Sequence, residues 1–208
     1  MKPMSAQRLL LEGAAGRLET VVSDPGDSRR GLALIAHPHP LFGGTLDNKV
    51  AQTLAKAFYE LGCVAIRPNF RGVGQSEGSH DEGRGEADDL ALIVDWAKST
   101  YGALPLVLAG FSFGGYVQLK VARRREFQRL VLIAPAISRL EEDTPPLPPN
   151  TLVVHGEEDD VVPLKDILDW ARPRQQPIVV LPGAGHFFHG RLHQLKEVVL
   201  GACSCDFR

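Results

Sequence analysis

The chain has 208 residues, 44% hydrophobic and 23% charged, with a formal net charge of −2. Those values suit one globular domain spanning 1–208, long enough to bury a sizeable core. The charge gives no reason to expect a nucleic-acid partner, and the chain lacks an apolar run of about 18 residues that would span a membrane.

The start, Met1 to Arg8, lacks a signal peptide's apolar core, which makes a cytoplasmic location the default expectation. Residues 7–22, broken by Gly13-Ala14-Ala15-Gly16, read as a hairpin, and 24–27 as a turn. A strand at 31–37 leads into Pro38-His39-Pro40-Leu41-Phe42-Gly43-Gly44-Thr45. His37 and His39 beside prolines raise the question of a metal. No cysteine or carboxylate cluster joins them, so neither a metal nor another cofactor is expected. His189 and His193 likewise have no third ligand nearby.

Val50, Leu54, Ala57, Phe58 and Leu61 recur at helical spacing, which predicts a helix over 47–61. A strand follows at 63–68. Residues 69–85 contain Gly72, Gly74, Gly78, Gly83 and Gly85 and read as a flexible rim. A helix is expected over 86–99.

Apolar residues 104–109 then run into Gly110-Phe111-Ser112-Phe113-Gly114, and a helix-like stretch follows at 116–122. This is G-x-S-x-G between a strand and a helix. Small residues let so sharp a turn close. The turn places the hydroxyl at a helix start, where free N–H groups and the dipole favour developing negative charge. Arg123-Arg124-Arg125 ends that helix and reads as a solvated basic terminus. Strands at 130–134 and 151–155 are separated only by 135–150, with a stiff proline-rich piece at 144–149. That connection is too short for a helical lid of several turns, so the pocket is expected to be open.

A serine nucleophile needs a base, and the base an orienting acid; in this motif both follow the serine. The acid loop is Gly156-Glu157-Glu158-Asp159-Asp160-Val161-Val162-Pro163, with Asp159 favoured over Asp160. After a helix at 164–171, a strand at 177–181 ends in Gly183-Ala184-Gly185-His186, and His186 is the expected base. One oxyanion donor is expected from the Phe113 N–H. The other must come from His39 or Leu41, because Pro38 and Pro40 have no N–H, and His39 is favoured. Phe42, Phe111 and Phe187 are the candidate substrate-binding aromatics, with Phe113 and Phe188 beside them. A last helix is expected over 191–200. Cys63 reads as a strand hydrophobe, and Cys203 and Cys205 as free thiols in a frayed end.

The chain resembles the α/β-hydrolase superfamily over essentially its whole length. It looks most like small lidless bacterial serine hydrolases with an HPHPLFGGT…NK segment, here His37 to Lys49. Their RGxGxSxG loop matches Arg71 to Gly78. The serine turn, the segment from His155 to Pro163 and Gly183 to His186 complete the order. The resemblance implies a mostly parallel central sheet with helices on both faces, no lid domain, and a Ser112–Asp159–His186 triad. It also implies esterase-like hydrolysis of a small-molecule ester. Thioesterase, amidase, acyltransferase and perhydrolase chemistry would use the same machinery, and a non-enzymatic ligand-binding protein would reuse the fold.

Overall fold

The computed structural model describes residues 4–139 and 147–207. Its centre is one eight-stranded sheet in the order β1-β2-β4-β3-β5-β6-β7-β8. β1 (Gln7–Gly13) and β2 (Gly16–Ser23) form the expected hairpin, with Leu11 opposite Leu18. β2 runs antiparallel to β4 (Cys63–Pro68). From there the sheet is parallel through β3 (Gly31–Ala36), β5 (Leu106–Phe111), β6 (Arg129–Ile133), β7 (Thr151–Gly156) and β8 (Val179–Leu181).

β3 and β5 are continuous apolar runs, and β4 is apolar up to Arg67, because both faces of these strands are covered. On one face Leu32, Leu34, Leu106 and Leu108 pack with Leu90, Ile93 and Val94 of α2 (Arg84–Tyr101) and Val117 of α3 (Phe113–Ala122). On the other, Ala33, Ile35, Val107 and Ala109 meet Leu54 and Phe58 of α1 (Lys49–Glu60). Leu195 and Val199 of α5 (Leu192–Cys203) close that layer. The period-two alternation of each strand therefore feeds two separate cores. α1 starts where Asn48 Oδ1 accepts the N–H groups of Val50 (2.9 Å) and Ala51 (3.4 Å). α4 (Leu164–Ala171) follows the acid loop and buries Ile167 and Ala171. The basic run after α3 is ion-paired, Arg124 to Asp88 and Arg125 to Asp95. Among the described residues no helix is long and apolar enough to cross a membrane.

Two expectations are corrected. The end of the chain is docked rather than frayed. Cys203 is fully buried in α5, Phe207 lies against Gly31, and Asp206 pairs with Arg129 of β6. The glycine-rich segment 69–85 is tied down. Arg71 grips Asp89 of α2 through two hydrogen bonds of 2.7 and 2.9 Å, and Glu19 of β2 accepts from Asn69 Nδ2 (2.8 Å) and the Gln75 N–H (2.9 Å). Buried Glu86 accepts the N–H groups of Asp81 (2.9 Å) and Gly83 (2.8 Å). Part of the proline-rich piece, 144–146, lies outside the described residues. What is described of the β6–β7 connection is a short 3-10 turn at Ile137–Arg139 and the approach to β7, with no lid among the described residues.

Candidate active site

Ser112 follows β5 directly and sits at φ 53°, ψ −118°, a region that L-residues rarely enter. The surroundings hold it there. Its N–H donates to Ile133 O of β6 (2.9 Å), and its carbonyl accepts from the N–H groups of Gly115 (2.9 Å) and Ala136 (3.2 Å). The turn closes only because its neighbours are small. A Cβ on Gly110 would fall 2.4 Å from Gly114 O, and one on Gly114 would fall 2.3 Å from Ala36 O. The hydroxyl thus emerges at the N-terminus of α3, at the C-terminal edge of the sheet.

The loops after β7 and β8 bring Asp159 and His186 to the same edge. His186 Nδ1 lies 2.8 Å from Asp159 Oδ2, and both side chains are nearly fully buried. The other carboxylate oxygen, Oδ1, accepts the N–H groups of Val161 (2.9 Å) and Val162 (2.7 Å). Burial pushes the Asp159 carboxyl up. The hydrogen bonds from His186 and the two valine amides outweigh it, so the group stays below the ordinary carboxylate range. Asp160, the alternative acid, is exposed. Among the described residues no hydrogen bond ties Ser112 Oγ to His186, a contact that often tightens only around substrate. The Phe111 ring lies 5.0 Å from the His186 ring, directly behind the serine.

The loop after β3 crosses in front of α3. The Leu41 N–H is directed at His39 Nδ1 (3.3 Å), while those of Phe42 and Gly44 go to His39 O (3.2 and 3.0 Å). Leu41 is therefore committed to the His39 ring. That ring packs 4.6 Å from Phe113, so the two expected oxyanion donors belong to touching residues. Phe42 (84% exposed) and Phe187 (43%) stand open at the rim. Phe111 is corrected: it is fully buried among the α1 and α5 core residues and supports His186 from below, so it cannot line an open pocket. Phe113 and Phe188 are buried as well.

Three further histidines lie around the site: His37 and His155 fall inside segments that the sequence marks, with no role given to them, and His80 falls outside any motif. His37 is fully buried; its Nδ1 donates to Pro38 O (2.7 Å) and its Nε2 accepts the Phe70 N–H (2.9 Å), which defines a neutral ring. Burial lowers its pKa to about 4. His80 packs against the rings of His39 (5.0 Å) and Phe113 (5.5 Å). Its Nδ1 lies 2.7 Å from Glu86 Oε1 without hydrogen-bond alignment. His155 lies behind Asp159. Among the described residues no three His, Cys, Asp or Glu side chains are grouped to hold a metal.

Residues 43–150, just over half of the chain, match the model of the family described as serine aminopeptidase, S33. The chain belongs to the α/β serine hydrolases. An α/β serine hydrolase homologue from Coxiella burnetii is 38% identical to this hydrolase, with a TM-score of 0.88 over 97% of this chain and 99% of that one. A serine hydrolase without lid from Xanthomonas campestris is 35% identical, with a TM-score of 0.91 over 100% and 97%. Est1E from Butyrivibrio proteoclasticus, solved with ferulic acid bound, is 19% identical over 93% and 96%, with a TM-score of 0.78, and shares the fold alone. The hydrolase is thus similar to lidless members of its family, as the short β6–β7 connection requires.

Proposed function

We propose that the protein cleaves small carboxylic esters through an acyl-enzyme on Ser112. His186 takes the Ser112 proton as the hydroxyl attacks the acyl carbonyl. The alcohol leaves with that proton, and a water activated by the same ring then releases the acid. Asp159 holds the imidazole by its Nδ1–H and stabilises the imidazolium; its low pKa keeps it ionised for this. The N–H groups of Phe113 and His39 receive the oxyanion. Phe42 and Phe187 border the acyl group.

The observation that carries this reading is the 2.8 Å His186–Asp159 contact at the same sheet edge as a strained serine. The open rim suits short acyl groups. Ferulic acid is a carboxylic acid, the kind of product ester cleavage releases, and its presence in Est1E supports an acyl site in this fold. The family's aminopeptidase description favours amide cleavage as the second reading. The test is a chain-length series of p-nitrophenyl esters with wild type and Ser112→Ala. Ser112-dependent turnover that peaks at short acyl chains supports the ester reading. Absence of turnover on every ester, with Ser112 still reactive to an organophosphonate, moves the substrate to amides or thioesters.

A further inference from the structure

His155 is the penultimate residue of β7, with its side chain fully buried directly behind the acid. Its Nε2 lies 2.8 Å from Val162 O and 3.5 Å from Asp159 Oδ2. Both neighbours are acceptors, so the ring proton sits on Nε2 and is donated to the Val162 carbonyl. Nδ1 then carries a lone pair, is buried, and has no hydrogen-bond partner among the described residues. An orphaned buried nitrogen is unfavourable and rare. An apolar side chain here would avoid that cost. The useful atom is therefore Nε2.

Its target peptide explains the use. Val162 N–H donates to Asp159 Oδ1 (2.7 Å), and Val162 C=O accepts from His155. One residue thus links the imidazole to the carboxylate. The ring clamps the Asp159–Val162 turn, and that turn fixes which carboxylate oxygen faces His186. Among the described residues, the titratable side chains against the Asp159 carboxylate are His186 (Nδ1, 2.8 Å) and His155 (Nε2, 3.5 Å), both at Oδ2, and the His186 ring packs against Phe111 and Phe187.

We propose that His155 is a positioning residue: its Nε2–H, through Val162, sets the Asp159 carboxylate in the orientation that holds His186. The inference rests on the Ser112–His186–Asp159 reading.

The test compares wild type with His155→Leu, which removes the donor, and His155→Gln, whose amide N–H reaches the place of Nε2. Three readouts are taken: the downfield proton NMR signal of the His186 Nδ1–H at acid pH, the pH profile of kcat and KM on p-nitrophenyl acetate, and thermal unfolding. His155→Leu is expected to lose the downfield signal and to lower kcat by roughly 10- to 100-fold, the range met when a partner behind a functional histidine is removed. KM stays near wild type, and the acid limb of the pH profile is displaced. His155→Gln is expected to recover the signal and most of kcat. If His155→Leu does not fold, His155→Asn replaces it, because its shorter amide does not reach Val162 O. A folded variant without the donor that keeps both signal and kcat overturns the proposal. So does His155→Gln behaving like the variant without the donor while folding normally. Esterase turnover that survives Ser112→Ala would instead overturn the underlying reading. The NMR signal reports on the Asp159–His186 bond independently of any substrate.

Discussion

The N–H of Ser112 donates to the Ile133 carbonyl at 2.9 Å, so strand β6 carries the backbone of the serine that β5 presents. Gly114, the second residue of α3, completes that support from the other side. A Cβ there would lie 2.3 Å from Ala36 O and 2.5 Å from His37 O, both backbone atoms that cannot swing away. Gly114→Ala is expected to destabilise the fold by about 1–3 kcal/mol or more, the usual cost of overpacking. Urea denaturation measures it; a variant as stable as wild type would mean that β3 and α3 separate easily.

The His39 backbone, at φ −56°, ψ 123°, already has proline geometry. His39→Pro therefore removes the N–H with little backbone strain, and His39→Ala removes only the ring. If the N–H binds the oxyanion, His39→Pro is expected to lose about 10²- to 10³-fold in kcat. His39→Ala is expected to lose far less. Equal losses in the two variants would assign the effect to the ring.

Strand parity explains much of what was legible. β3 through β7 stood out as mostly apolar runs because helices cover both faces of the sheet, and the glycines of the serine turn marked its position. Phe111 was misplaced although its parity was available: it falls in step with Val107 and Ala109, which face the α1–α5 core. Other features depended on partners distant in sequence. Nothing local in 69–85 reveals that Glu19 and Asp89 anchor it, and nothing local at Cys203 or Phe207 reveals that α5 docks on the sheet. The roles of His37 and His155 rest on which carbonyls face their rings, and a one-dimensional pattern does not carry that.

Burial makes stability depend on pH. Folded His37 titrates at about 4 against an ordinary 6.5, so below pH 6.5 the unfolded chain takes up a proton that the folded one refuses. Its contribution is complete above about pH 6.5 and is lost as the pH falls toward about 4. The loss is on the order of 3 kcal/mol. His155, also lowered by burial, acts in the same direction. Asp159, held below its ordinary value, adds a further loss at lower pH, as the carboxylate is protonated. Urea denaturation across this window is expected to give falling stability. A flat profile would contradict the buried neutral His37.

Thiol reactivity checks the docked end of the chain. Cys63 and Cys203 are buried, and burial pushes the Cys203 thiol up to about 12, whereas Cys205 is exposed. Native protein is expected to react with an aromatic disulfide reagent at Cys205 alone, and denatured protein at all three cysteines. Rapid native reaction at Cys203 would mean that α5 detaches.

The most direct measurement is organophosphonate labelling followed by peptide mapping. The expected result is stoichiometric phosphonylation of Ser112, absent in Ser112→Ala and strongly slowed in His186→Gln, with ester turnover falling on the order of 10⁴- to 10⁶-fold in Ser112→Ala. A label on another residue, or turnover that Ser112→Ala retains, would contradict Ser112 as the nucleophile.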